Sequence, residues 1–143
     1  AIGSTFGSIG FAGFATYSAS KFGLRGLMEA LSREHDGTGL SFQYLSPRAT
    51  RTGFNTPAVD ALNAELKVGS DAPKAVAAAL VQAIVQGDRR RQLGWPEKLF
   101  ARINGMFPAL VDRSLRAQLP IIRRHASQAQ PIQEDSSHEA TSR

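Results

Sequence analysis

Cysteine is absent from the 143 residues, which excludes a disulfide framework and any thiolate metal site. The same absence fits a reducing cytoplasm, the compartment expected for this protein. No apolar stretch in the sequence approaches the roughly 20 residues of a membrane-spanning helix, and no charged-then-apolar leader is visible. There is no initiator Met either; the chain opens on Ala1-Ile-Gly-Ser4 and is expected to be a piece of a longer protein. Histidine is scarce. His35, His125 and His138 are scattered, none at ligand spacing, so surface positions are expected and no metal centre. The formal charge of +5 comes from Arg and Lys that concentrate after Asp88, and describes the C-terminal third alone. That arginine run has no aromatic interleaving and no nucleic-acid module around it, so nucleic acid is not an expected partner.

What is present is enough apolar content, 42%, for a domain with a real core. The most informative feature lies in Thr16-Tyr-Ser-Ala-Ser-Lys-Phe22, where Tyr17 and Lys21 are four residues apart. On a helix that spacing puts phenol and ammonium on one face, about a turn apart, where the cation can stabilise a phenolate. A tyrosine in water holds its proton to about pH 10, so one that exchanges a proton near neutrality needs such a neighbour. Ser4, thirteen residues upstream of Tyr17 on a glycine-rich approach, supplies a hydroxyl that folding can bring to a carbonyl oxygen.

Read in order, Ala1 to Ala15 is too broken by Gly3, Gly7, Gly10 and Gly13 for a helix, and is expected to be a strand end running into a loop. The glycines resemble a phosphate cradle only superficially, since no βαβ unit opens around them and no P-loop Lys-Ser/Thr follows. From about Thr16 to Arg33, Leu24, Leu27, Met28 and Leu31 form the stripe of a helix packed on a core, ended by Asp36 and Gly37. Leu40 to Leu45 alternates as a strand, bounded by Pro47. Gly53 to Ser70 is expected to be a variable, partly helical flap. Asp71 is expected to cap a second, buried helix with Pro73 in its first turn, running to Gly87. Arg89 to Trp95 suggests a last short strand, with Trp95 a core corner. Leu99, Ile103, Met106 and Leu110 then form another helical stripe, broken near Pro108. The expected divisions are 1–95, a basic amphipathic helical extension over 96–126, and a disordered tail over 127–143.

Ser4-Thr-Phe-Gly-Ser-Ile-Gly10, Tyr17-Ser-Ala-Ser-Lys-Phe22 and Pro47-Arg-Ala-Thr-Arg-Thr52, in that order, closely resemble the catalytic centre of the short-chain dehydrogenase/reductase family. The resemblance spans most of Ala1 to roughly Trp95. It implies an α/β fold, the C-terminal half of a Rossmann-like doubly wound parallel sheet with a C-terminal helical extension. It also implies an NAD(P)-dependent oxidoreductase interconverting a carbonyl and a secondary alcohol, with NAD or NADP as cofactor, a small-molecule substrate and a homo-oligomeric state. By the same resemblance Ser4, Tyr17 and Lys21 are the catalytic residues, while Tyr17, Lys21, Pro47 and Thr52 meet the cofactor. Arg48 departs from the family pattern, which has glycine there. The dinucleotide-binding half of the family, with its glycine-rich turn, has no counterpart in these residues. The alternative is a non-catalytic remnant that binds a partner, or a membrane surface, through its basic C-terminal helix; packing of that helix on protein is favoured over membrane contact.

Overall fold

The computed structural model describes residues 1–128. Six helices and two short parallel strands follow one another among these residues. The first element is a 3₁₀ turn over Thr5–Gly7, and the long helix α1 runs Ala15–Glu34. Arg25–Glu29 and Glu29–Arg33 are ion pairs at helical spacing along α1. Its chain reverses at His35, and Gly37 takes φ +79, a conformation that glycine adopts without a Cβ penalty.

Strand β1 is Tyr44–Ser46, all three residues buried, and β2 is Arg90–Gln92. They pair in parallel with Leu45 opposite Arg91. On the other side of β1 the chain start adds a parallel bridge, Ile2 to Leu45. There the Gly3 N–H donates to the Leu45 carbonyl at 2.7 Å, and the Leu45 N–H to the Ala1 carbonyl at 3.0 Å. Leu45 is therefore central, and at 2% exposure it is the largest fully buried side chain described. Parallel neighbours require a long crossover. Helices α2 (Pro57–Glu65) and α3 (Pro73–Val85) provide it. Thr56 caps α2, its hydroxyl accepting from the Val59 N–H, and both helices begin with proline, whose missing N–H costs nothing at a first turn. The Gln43 side-chain amide donates to the Ala83, Ile84 and Asp88 carbonyls, holding the end of α3 beside β1.

After β2 come α4 (Glu97–Met106), α5 (Pro108–Arg116) and α6 (Leu119–Gln128). The break at Phe107 is where Pro108 denies the helix a donor and starts a new one. Helix α4 packs on α5, and α6 packs back on α2, where Leu62 and Ile122 are buried. No helix among the described residues is long and apolar enough to cross a membrane.

Several expectations are corrected. The first strand is confined to its last residues, and Leu40 lies exposed outside it. Asp71 does not cap α3; Ala72 holds that position, and the Asp71 carboxylate is taken by Arg48. Helix α3 ends at Val85 and buries only Val76 and Ala83, so its apolar surface faces outward, with Val85 at 81% exposure. Leu27 of the α1 stripe is 54% exposed. Trp95 is no core corner, at 68% exposure. Leu99, Met106 and Leu110 also stand exposed, the packed side of α5 being that of Val111. Ser127 belongs to α6; the rest of the expected tail, from residue 129 and including His138, lies outside the described residues.

Candidate active site

Helix α1 carries Tyr17 and Lys21 in its first turns, so both side chains leave a rigid element on the same side. The Lys21 Nζ stands over the Tyr17 ring, 5.6 Å from its centroid, within cation–π reach. It also donates to the Ile2 carbonyl at 3.3 Å. One hydrogen bond leaves the ammonium with two further N–H donors.

Ser4 begins the 3₁₀ turn, its Oγ accepting from the Phe6 N–H at 3.2 Å. A hydroxyl used as an acceptor still has its proton to donate. Ser4 lies between two contacts to α1. Ile2, on one side, is bonded to Lys21; Phe6, on the other, meets the Tyr17 ring edge-on at 6.1 Å. Phe6 also stacks on Phe11 and tilts against Phe14, giving the serine loop an aromatic underside.

Three long-range hydrogen bonds hold that loop from outside. The Gln92 amide of β2 donates to the Thr5 hydroxyl at 2.8 Å. Arg25 of α1 donates to the Ser8 hydroxyl at 2.9 Å, and the Asn104 amide of α4 to the Ser8 carbonyl at 2.9 Å. Arg25 is itself held by Glu29, which also receives Arg90 at 3.0 Å. The hydrogen bond from Arg25, with that from Arg90, keeps the Glu29 carboxyl below the ordinary carboxylate range against the opposing effect of burial. The three contacts to the loop are not legible in the sequence, because each joins elements far apart in the chain.

Pro47 and Thr52 lie on the segment leaving the carboxyl end of β1, the end at which ligands bind in parallel α/β sheets. Thr52 is exposed and its hydroxyl accepts from the Phe54 N–H at 3.4 Å. The segment's hydrogen bonds run to Asp71 rather than to the Tyr17–Lys21 pair: the Arg51 N–H donates to the Asp71 carbonyl at 3.0 Å and the Asp71 N–H to the Ala49 carbonyl at 2.9 Å. Beside Thr52 opens a groove of about 480 Å³, whose polar lining includes Asn55, Asp60, Asn63 and Ser70. Arg48 folds its side chain onto Asp71 and reaches the Trp95 carbonyl at 3.2 Å.

His35 and His125 contribute nothing to this arrangement. His35 stacks on Phe42 at 5.3 Å. His125 is more enclosed than expected, with its Nε2 2.7 Å from the Glu65 carboxylate. No cluster able to hold a metal ion occurs among the described residues.

Residues 1–63 match the family model described as short chain dehydrogenase. None of the curated proteins matches the chain. Among solved structures, a short-chain dehydrogenase from Streptomyces avermitilis superposes with a TM-score of 0.56 at 26% sequence identity, over 91% of this chain and 51% of that one. The chain thus spans about half the length of that relative. By sequence over its first 63 residues and by its mixed, parallel α/β architecture over nearly all its length, the chain is similar to the short-chain dehydrogenases.

Proposed function

We propose that the whole protein is an NAD(P)-dependent oxidoreductase that interconverts a small-molecule carbonyl and a secondary alcohol, with Tyr17 as general acid and base. The observation that carries this reading is the Lys21 ammonium standing over the Tyr17 ring at 5.6 Å, on the helix against which the Ser4 loop packs.

A nicotinamide dinucleotide, when bound, donates or accepts the hydride. The residues present suit it: Lys21 has N–H donors left for a ribose diol, and Pro47 and Thr52 lie on the loop at the ligand end of the sheet. Either NAD or NADP satisfies these groups. In the reducing direction Tyr17 gives its phenolic proton to the carbonyl oxygen, and Lys21 stabilises the negative charge left on the ring. Ser4 keeps its proton and donates a hydrogen bond to the same oxygen, fixing its direction. Oxidation runs the same transfers backwards. The cysteine-free composition supports a cytoplasmic location, and the exposed Phe22, Leu27 and Val81 support a partner surface supplied by the rest of the protein or by a homo-oligomer.

The test is Tyr17→Phe in the whole protein, which removes one hydroxyl and little volume. Carbonyl reduction is expected to fall by about 10² or more while cofactor affinity, followed by fluorescence titration, stays nearly unchanged. Most of the wild-type turnover surviving would refute the assignment and favour the non-catalytic reading.

A further inference from the structure

Tyr44 is a polar aromatic residue in the middle of the sheet, 4% exposed, on a strand that carries none of the reacting groups. Its ring lies directly beneath the serine loop. A Cβ placed on Gly3 would fall 2.2 Å from its Cζ, and one on Gly7 would fall 2.1 Å from its hydroxyl. No side chain fits at either position, so these two glycines are the seat of the Tyr44 ring. The same hydroxyl donates to the backbone carbonyl of Lys21 at 3.3 Å. A Cβ on Gly7 would also come within 2.9 Å of that carbonyl, so loop, ring and helix meet at one point.

We infer that Tyr44 is a positioning residue for the proposed reaction: it sets the distance between the loop bearing Ser4 and the helix bearing Tyr17 and Lys21. The inference rests on the function proposed above. Its physical basis is that proton transfer and oxyanion stabilisation depend on sub-ångström placement of two groups on separate elements. The aromatic contacts and the loop's outer hydrogen bonds limit how far it strays. Tyr44 lies between loop and helix, with its ring under Gly3 and Gly7 and its hydroxyl on the Lys21 carbonyl.

The test compares wild type, Tyr17→Phe and Tyr44→Phe in the whole protein, measuring kcat, cofactor dissociation constant and melting temperature. Tyr44→Phe keeps the ring in its seat and removes only the hydroxyl. It is expected to lower kcat by about tenfold with cofactor affinity and substrate KM within about twofold of wild type. Because the Gly7 clash falls on the hydroxyl, Gly7→Ala is expected to be less harmful in a Tyr44→Phe background than alone. Gly3→Ala, whose clash falls on the ring, is expected to gain no such relief. Activity retained by Tyr17→Phe would take down the functional reading and this inference with it. An inactive Tyr17→Phe beside a Tyr44→Phe protein with wild-type kcat, or one altered only in melting temperature, would overturn the inference alone.

Discussion

Arg48 holds Asp71 with both arms of its guanidinium, Nε 2.9 Å from one carboxylate oxygen and Nη2 2.6 Å from the other. The pair ties the segment leaving β1 to the turn that leads into α3, and Glu97 at the start of α4 approaches the same guanidinium at 3.6 Å. A single side chain thus fastens three parts of the chain together.

The Arg48 hydrogen bond is the main reason the Asp71 carboxyl titrates below its ordinary value, with burial opposing it. A depressed folded-state value means stability that is present above the unfolded value near 4 and lost as pH falls through the folded one. Asp71→Asn is expected to cost about 1–2 kcal/mol at pH 7. In urea melts its difference from wild type should close as the pH drops below about 4; a constant difference down to pH 2 would contradict the pairing.

Arg25 reaches from α1 to the Ser8 hydroxyl and so holds the serine loop. Arg25→Met is expected to lower turnover of the whole protein about fivefold, the equivalent of roughly 1 kcal/mol of lost hydrogen bonding. Stability should change little, because this side chain is more than a third exposed. Steady-state kinetics beside a thermal melt separate the two effects.

Adjacent residues of α5 make opposite predictions. Val111 is 3% exposed and Leu110 is 64% exposed. Val111→Asp buries an unpaired carboxylate and is expected to cost about 2–4 kcal/mol, whereas Leu110→Asp should stay within about 0.5 kcal/mol. Equal melting temperatures for the two variants would show that the packed face has been misassigned.

Glu65 joins the flap helix α2 to α6, its carboxylate meeting both Arg124 and His125. The His125 hydrogen bond, then the Arg124 charge, hold that carboxyl below its usual range, although the site is at the surface. Glu65→Ala is expected to speed amide exchange across Pro57–Glu65 severalfold, by about 3–10 times, while α1 is unaffected. Exchange unchanged in α2 would mean that apolar packing of Leu62 alone holds the flap.

Local pattern by itself determined a great deal here. The Tyr17–Lys21 spacing is a property of helical periodicity, so the pair was legible before any tertiary contact was known. The proline-led starts of α2 and α3 and the break before Pro108 are equally local, since a missing N–H acts within one turn. The stripes misled for a corresponding reason. Periodicity says that a helix has an apolar face, and only packing says what covers it, so Leu27, Val85 and Met106 proved exposed. Asp71 read as a helix cap because the rule is local, but a guanidinium 23 residues away competed for the same carboxylate. Ser4 could be named from its order in the chain; its support by Arg25, Gln92, Asn104 and the Tyr44 ring could not. Those contacts exist only once distant segments are folded against one another, and no spacing along the sequence encodes them.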